Sequence, residues 1–273
     1  LIIDMHVHST ASDGVLSPSE IIHWAVRLGL KGVAITDHDT VDGIQEAIVA
    51  AREYDHFIFI PGIEFSTQQD DHEIHILGYF IDHLHQDILQ LTEKIKEDRL
   101  QRGIKMIKKL AEIGYEVTFE EVLSLSQDGV VGRPHIGRLL VKKGYVASVQ
   151  EAFDKLLDKG KAAYVERFKL TPYDAIDTIK KGKGIPVLAH PGLIDRKVNI
   201  LDIIRNGIQG IEVYHSKHGE ADTAYCLNLA KNHGLLVTGG SDYHDTFIAG
   251  KPAIGSIGVP YETIAPWIEG FRK

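Results

Sequence analysis

Cysteine is almost missing from this chain: Cys226 is the one example in 273 residues. No intrachain disulfide can form, and a reducing compartment is the natural setting for such a composition. No apolar run approaches the ~20 residues that a membrane-spanning helix requires, and no signal peptide is evident. A cytoplasmic location with no membrane partner is therefore expected. Basic surplus is lacking too, since 30 Lys and Arg face 38 Asp and Glu for a formal net charge of −8. A nucleic-acid partner would have to be met by a local group of cations and not by a basic surface. Internal repeats and low-complexity segments are absent. The chain opens on Leu1 and not on Met, so a trimmed form of a longer natural N-terminus is expected.

What is present suits a packed α/β protein. Hydrophobic residues make up 44% and charged residues 25%, enough for one large domain or a domain with an insertion. Strand-like and helix-like segments alternate from residue 1 to about 80 and again from about 171 to 273, which argues for parallel βα units. Helix starts are marked by Ser17-Pro18-Ser19-Glu20 and Thr171-Pro172-Tyr173-Asp174, and Gly29, Gly182 and Gly234 stand where helices should stop. The stretch from 85 to 168 breaks the alternation. Ile88 to Ile113 reads as one long helix, Thr118 and Ser148 each open a capping box, and Arg133-Pro134-His135-Ile136 opens a helix through Val141. The expected organisation is a barrel from 1–84 and 169–273 with a helical insertion, or cap, at 85–168.

Fifteen histidines are a high count, and their placement matters more than their number. Nearly every apolar run that reads as a buried strand ends on a metal-ligand residue type. Leu1 to Met5 runs into His6-Val7-His8, and Gly32 to Ile35 into Thr36-Asp37-His38. Phe57 to Ile60 runs into Pro61-Gly62-Ile63-Glu64, and His75 lies within Glu73-Ile74-His75-Ile76-Leu77. Ile185 to Ala189 runs into His190, and Leu235 to Thr238 into Gly239-Gly240-Ser241-Asp242-Tyr243-His244. In a barrel of parallel strands the C-terminal ends meet at one face, where active sites are built. His6 and His8 share one side of their strand because side chains alternate with period two; Asp242 and His244 repeat that spacing. Asp13, in the turn Ser12-Asp13-Gly14, can fold back over the strand end. A lone strand histidine is more often a satisfied core or rim residue than a ligand, but nine such residues in this arrangement are hard to obtain by chance. Imidazole nitrogens with carboxylate oxygens favour Mn, Fe or Zn over Mg or Ca.

The set His6-Val7-His8-Ser9, Thr36-Asp37-His38, Gly62-Ile63-Glu64, Ala189-His190-Pro191 and Ser241-Asp242-Tyr243-His244 resembles the PHP (polymerase and histidinol phosphatase) superfamily. The resemblance covers both ends of the chain. It implies a distorted (β/α)7 barrel with a trinuclear site for two to three divalent transition-metal ions. His6, His8, Glu64 and Asp242 would hold the first ion, Glu64, His75 and His190 the second, and Asp13, His38 and His244 the third. The family often has His where Asp13 stands, and Asp fits one branch. Gly132-Arg133-Pro134-His135-Ile136 and Val213-Tyr214-His215-Ser216-Lys217-His218 resemble that branch, which dephosphorylates nucleoside 3′,5′-bisphosphates and can also trim short RNA from the 5′ end. Substrate contact is then expected from Arg133, His218 and His135, with His218 favoured over His215. The expected partner is a small phosphorylated nucleotide or a short RNA, with no stable protein partner implied.

Plainer readings stand beside these. Arg133 serves equally well as an ion-paired strut, and His135 as a helix cap. Asp37 is a candidate acceptor for a ligand imidazole, and Asp4 a brace for the first strand. His23, His56, His72, His83, His85 and His233 read as surface residues, and the charged face from Glu93 to Lys109 as solvated helix in which Arg99 and Arg102 have low odds of reaching phosphate. The competing functions are a histidinol-phosphate phosphatase, which the insertion argues against, and a non-catalytic metal-binding regulatory module, which the complete ligand set argues against.

Overall fold

The computed structural model describes residues 1–126, 132–166 and 168–271. Positions 127–131 and 167 of the segment read as an insertion lie outside the described residues. In chain order the elements are β1 (Ile2–Asp4), α1 (Pro18–Arg27), β2 (Gly32–Ile35), α2 (Ile44–Ala51), β3 (Ile58–Gln69), β4 (His72–Tyr79) and α3 (Gln86–Glu112). Then come α4 (Phe119–Ser126), α5 (Arg133–Lys142), α6 (Val149–Ala152) running into a π-helical turn at Phe153–Leu157, α7 (Pro172–Lys181), β5 (Ile185–Leu188) and a short 3-10 turn at Pro191–Leu193. The chain finishes with α8 (Ile200–Arg205), β6 (Gly210–His215), α9 (Glu220–His233), β7 (Leu236–Gly240), β8 (Phe247–Ile248), β9 (Lys251–Pro252), β10 (Val259–Pro260) and α10 (Tyr261–Phe271).

Eight strands form one sheet in the order β10-β1-β2-β3-β4-β5-β6-β7. It curls until its ends nearly meet. Past β1, Met5 N–H donates to Gly239 O at 3.2 Å, Asp242 N–H to His6 O at 2.9 Å and His8 N–H to Tyr243 O at 2.9 Å. The seam needs Gly240, where a Cβ would lie 2.4 Å from the His6 backbone nitrogen. Ile3, Met5, Ile60, Leu77, Tyr79 and Val187 fill the barrel, and α10 closes its lower end with Ile264 and Ile268. Helices α1 and α2 cover one flank through Ile21, Ile22, Ala47 and Ala50, and α7 to α9 cover the other through Ile176, Ile179, Ile203 and Leu229.

The barrel is not all parallel. β3 pairs in parallel with β2 over Ile58 to Pro61, then continues to Gln69 against β4, which runs antiparallel to both β3 and β5. Asp70, at a φ of 52°, turns the chain between them. Glu64 therefore sits mid-strand and not at a strand end. The hairpin forms because Ile63, Phe65, Ile74 and Ile76 bury one face beneath the outer helices. The alternate residues, Glu64 and Ser66 on β3 and Glu73 and His75 on β4, then share the inner face. The hairpin rises past the end of β2, which lifts His75 to the level of Ala189, whose N–H donates to His75 O at 3.1 Å.

Helix α3 joins two cores. Its first half buries Ile88 and Ile95 against the barrel, and its second half contributes Met106, Ile107 and Leu110 to a separate cluster with Ile136, Leu139, Leu140, Leu156 and Leu157. No described helix is long and apolar enough to cross a membrane.

Candidate metal centre

Glu64 is the hub of the barrel mouth. It is fully buried, and its two oxygens face different neighbours. Oε1 lies 2.8 Å from His75 Nδ1 and 3.0 Å from His190 Nε2. Oε2 lies 3.1 Å from both His6 Nε2 and His8 Nε2, and 3.2 Å from His38 Nδ1. Asp242 Oδ1 approaches His6 Nε2 at 3.4 Å and His8 Nε2 at 3.2 Å. Asp13 Oδ1 meets His244 Nε2 at 3.3 Å and His8 Nδ1 at 3.9 Å. All nine residues expected to carry the site thus converge on the upper end of the barrel.

The grouping is close to the three sets named above. His6, His8, Glu64 and Asp242 each place a ligand atom within 4.8 Å of the others, and so do His8, Asp13, His38 and His244. His8 stands between these groups. His38 joins Glu64 and His75 in a third cluster, while His190 reaches it through the oxygen it shares with His75.

The donor set fits transition-metal ions. Each cluster mixes neutral-capable imidazole with carboxylate, and His8 Nδ1 and His190 Nδ1 are buried with no hydrogen-bond partner among the described residues. The electrostatics point the same way. Burial opposes charge on Glu64, but His38, His6 and His75 hold its carboxyl well below the usual range. His8 and His75 are pushed up to about 10: burial disfavours the imidazolium, but Asp242 and Glu64 outweigh it at His8, and Glu64 and Glu73 at His75. His38 falls to about 4 because burial dominates. Without cations the pocket keeps protons on some of its imidazoles in their place.

Two of the expected ligands stand on strained backbone. His190 has a φ of 27° and Asp242 a φ of 52°; such positions cost about 1–3 kcal/mol each for ordinary residues. Hydrogen bonds hold them there, from His190 N–H to Glu212 Oε2 at 2.8 Å and from Asp242 N–H to His6 O at 2.9 Å.

Around the centre stand two residues that the sequence did not single out, Glu212 and Arg138, and two that it ranked low, His215 and Arg99. Glu212, fully buried on β6, accepts from His6 Nδ1 at 2.9 Å. His215 Nε2 lies 3.3 Å from Asp242 Oδ2, while its Nδ1 accepts from Lys217 N–H at 3.1 Å, so the proton is on Nε2. Arg138 on α5 donates to Asp13 O at 2.8 Å. Arg99 on α3 pairs with Asp39 and donates to Ser66 Oγ at 3.3 Å, beside His38.

The three expected substrate residues are less tightly gathered. Arg133 pairs with Asp158 at 3.2 Å and Glu73 at 3.9 Å, and Glu73 in turn meets His75 Nε2 at 3.2 Å. It stands one carboxylate away from the cluster, over the Phe153 ring, and lines a cleft of about 340 Å³ between the β3–β4 hairpin and the cap with Gln68, Arg102, Lys159 and Tyr164. His218 spends both ring nitrogens internally, donating from Nδ1 to Val213 O and accepting at Nε2 from Gly192 N–H. Of the two competing histidines, His215 is therefore the one in contact with the centre. His135 accepts Gly132 N–H at Nδ1, and burial pushes its pKa down to about 4; it caps α5. Asp37 accepts from Ser9 and Ser12 and braces their loop, and among the described residues it makes no hydrogen bond to an imidazole of the expected ligands. Asp4 braces the seam, accepting from Ser241 and Gly255.

A family model described as "PHP domain" matches residues 4–168. The 5′-3′ exoribonuclease Rnm of Salmonella typhimurium is 36% identical over 100% of this chain and 89% of its own length. The 3′,5′-nucleoside bisphosphate phosphatase of Chromobacterium violaceum is 35% identical over 89% of this chain and 87% of its own. Among solved structures, an inferred metal-dependent phosphoesterase from Bifidobacterium adolescentis superposes with a TM-score of 0.87 at 29% identity, covering 97% of this chain and 94% of that one.

Proposed function

The chain belongs to the PHP domain family, and on that premise we propose that it is a metal-dependent phosphoesterase that removes the 3′-phosphate of nucleoside 3′,5′-bisphosphates and also trims short RNA from the 5′ end. The observation that carries this reading is Glu64, whose two oxygens face five imidazoles between them at 2.8 to 3.2 Å. Two to three ions of Mn, Fe or Zn would be held by His6, His8, Glu64 and Asp242, by Glu64, His75 and His190, and by Asp13, His38 and His244. The lone, buried Cys226 supports a cytoplasmic setting.

Bound there, such ions supply Lewis-acid stabilisation of phosphoryl charge and lower the pKa of water. The chain's own groups set the stage. Glu212 accepts a hydrogen bond from His6 Nδ1–H and leaves Nε2 aimed at the cluster. His215 donates from Nε2 to Asp242 Oδ2, which keeps Oδ1 turned toward His6 and His8. Arg138 pins the Asp13 main chain. The cap over this mouth, at 85–168, brings Arg99, Arg133 and Arg138 near it, and Lys217 Nζ comes within 3.9 Å of Asp242 Oδ2. Each of these cations faces a carboxylate, Asp39 for Arg99, Glu73 and Asp158 for Arg133, Asp245 for Arg138 and Asp242 for Lys217, and exchange of the exposed partners Glu73, Asp158 and Asp245 would suit a substrate with a second phosphate held for orientation.

The test is phosphate release from 3′-phosphoadenosine 5′-phosphate, 3′-AMP, 5′-AMP, histidinol phosphate and a short RNA, each with Mn. The bisphosphate should have a kcat/KM well above either monophosphate. Equal rates on all three adenosine nucleotides would remove the two-phosphate model, and histidinol phosphate outrunning them would reassign the enzyme.

A further inference from the structure

Among the described residues outside the nine expected ligands, Glu212 is a carboxylate whose two oxygens serve ligands expected to hold two different ions. Oε1 accepts the Nδ1 proton of His6 at 2.9 Å, and Oε2 accepts the backbone N–H of His190 at 2.8 Å. Because a carboxylate can only accept, the first contact keeps a proton on His6 Nδ1, so Nε2, which faces His8, Glu64 and Asp242, is the nitrogen left to meet an ion once its own proton is displaced. The second contact holds the His190 main chain at its φ of 27°, from which Nε2 reaches Glu64. Glu212 itself has no exposed surface, and its neighbours Ile211 and Val213 are buried in the apolar layer behind the sheet. A buried carboxylate in such surroundings is held only if its oxygens are satisfied.

We propose that Glu212 is a positioning residue that builds the first and second metal positions as one unit, by setting the His6 tautomer with one oxygen and the His190 backbone with the other. This rests on the metal-centre reading above but not on the substrate chosen there. The third position, expected at Asp13, His38 and His244, has no contact with Glu212 among the described residues. Loss of Glu212 should therefore loosen two ions and spare one. Replacement by Gln keeps the volume but turns one acceptor into a donor. It must then oppose N–H to N–H at either His6 or His190.

The experiment is metal retention, measured without substrate. Wild-type and Glu212→Gln protein are loaded with Mn, dialysed against graded chelator, and assayed for bound metal, with circular dichroism and thermal melting of the metal-free forms as controls for folding. The variant should release two ions at about 10- to 100-fold lower chelator strength, the scale on which outer partners tune metal affinity, and keep the third at the wild-type midpoint. Excess Mn should restore kcat while the Mn concentration at half-activity stays raised. Unchanged midpoints for all ions would overturn the proposal, as would equal weakening of all three with a lowered metal-free melting point, which is a purely structural role. Should Glu212→Gln fail to fold, the ring nitrogens of His6 in zinc-loaded wild-type protein decide, by nitrogen-15 NMR. A protonated Nδ1 with metallated Nε2 supports the assignment, and metallated Nδ1 ends it. Failure on every phosphate ester with these metal results intact would sink the phosphoesterase reading and leave Glu212 in its role.

Discussion

The barrel mouth and the cap-side cleft are both crowded with charge, yet they hold it differently. At the mouth, Glu64, His6, His8 and Glu212 have no exposed surface, and each is fixed by at least two partners. In the cleft, Lys159 and Asp71 form a pair whose side chains are 62% and 72% exposed, and Arg133 leans on Glu73 and Asp158, which are 49% and 44% exposed. Exposed pairs are cheap to exchange; buried ones are not. The mouth is thus preorganised for ions, while the cleft can trade its carboxylate partners for those of a substrate.

The widest gap between the two regions should appear on deleting a ligand. His8→Ala and Asp242→Ala should each lower turnover at least ~100-fold, since a direct ligand should matter no less than the outer partners that cost 10–100-fold. Steady-state rates with parallel metal analysis check this, and a ligand variant with full activity and full metal content would erase the distinction. Next comes pH. In the metal-free protein His8 and His75 keep protons up to about pH 10, and an arriving ion must expel them. Affinity should weaken as pH falls, about tenfold per unit for each proton released. Calorimetric titration with Mn in buffers of different ionisation heat counts those protons, and pH-independent affinity would contradict the charge balance described for the mouth.

In the cleft the effects should be smaller. Arg133→Ala should reduce the preference for the bisphosphate over an aryl phosphate by about 1.5–3 kcal/mol, the scale of a hydrogen bond to a charged group. Equal losses on both substrates would make Arg133 a strut between its carboxylates. Lys159→Ala, breaking the exposed pair with Asp71, should leave the melting temperature unchanged; a clear drop would show that the cleft is as preorganised as the mouth.

The same contrast explains what could be read in the sequence. Most of the nine mouth residues were legible because they follow a short apolar run, and a strand buried on both faces leaves few other roles for a polar residue at its end; Asp13, in a turn, and His75, inside a strand, were legible only beside the others. The reversed β4 was not, because Glu73 to Leu77 has the same alternation whichever way it runs, and the Asp70-Asp71 turn is a weak signal beside the apolar pattern. Glu212 escaped because a single carboxylate between Ile211 and Val213 has no partner at a telling spacing; both partners, His6 and His190, arrive from other strands. Arg99 and Arg138 lie among many charges on helices, and only the packing of the cap distinguishes them from solvated neighbours. Strand phase could not rank His215 and His218, because it is lost where β6 ends, and the preference for His218 rested on the family resemblance alone.

The reversal of β4 also decides how the cap is carried. A strand running downward delivers the chain to the foot of the barrel, so α3 begins beside Gly182, against which Ile88 packs, and must climb past the rim. Its 27 residues give about 40 Å of unbroken helix. Ile95 is still on the barrel, Arg99 is at the mouth, and Met106 is in the cap core. One helix therefore serves as a mast, and the angular phase of the cap is counted in residues along it. Adding or removing a single residue between Ile95 and Arg99 would swing everything above by about 100°. The bearing of the cap cations over the metal centre is thus written in the length of a helix that begins at the far end of the barrel.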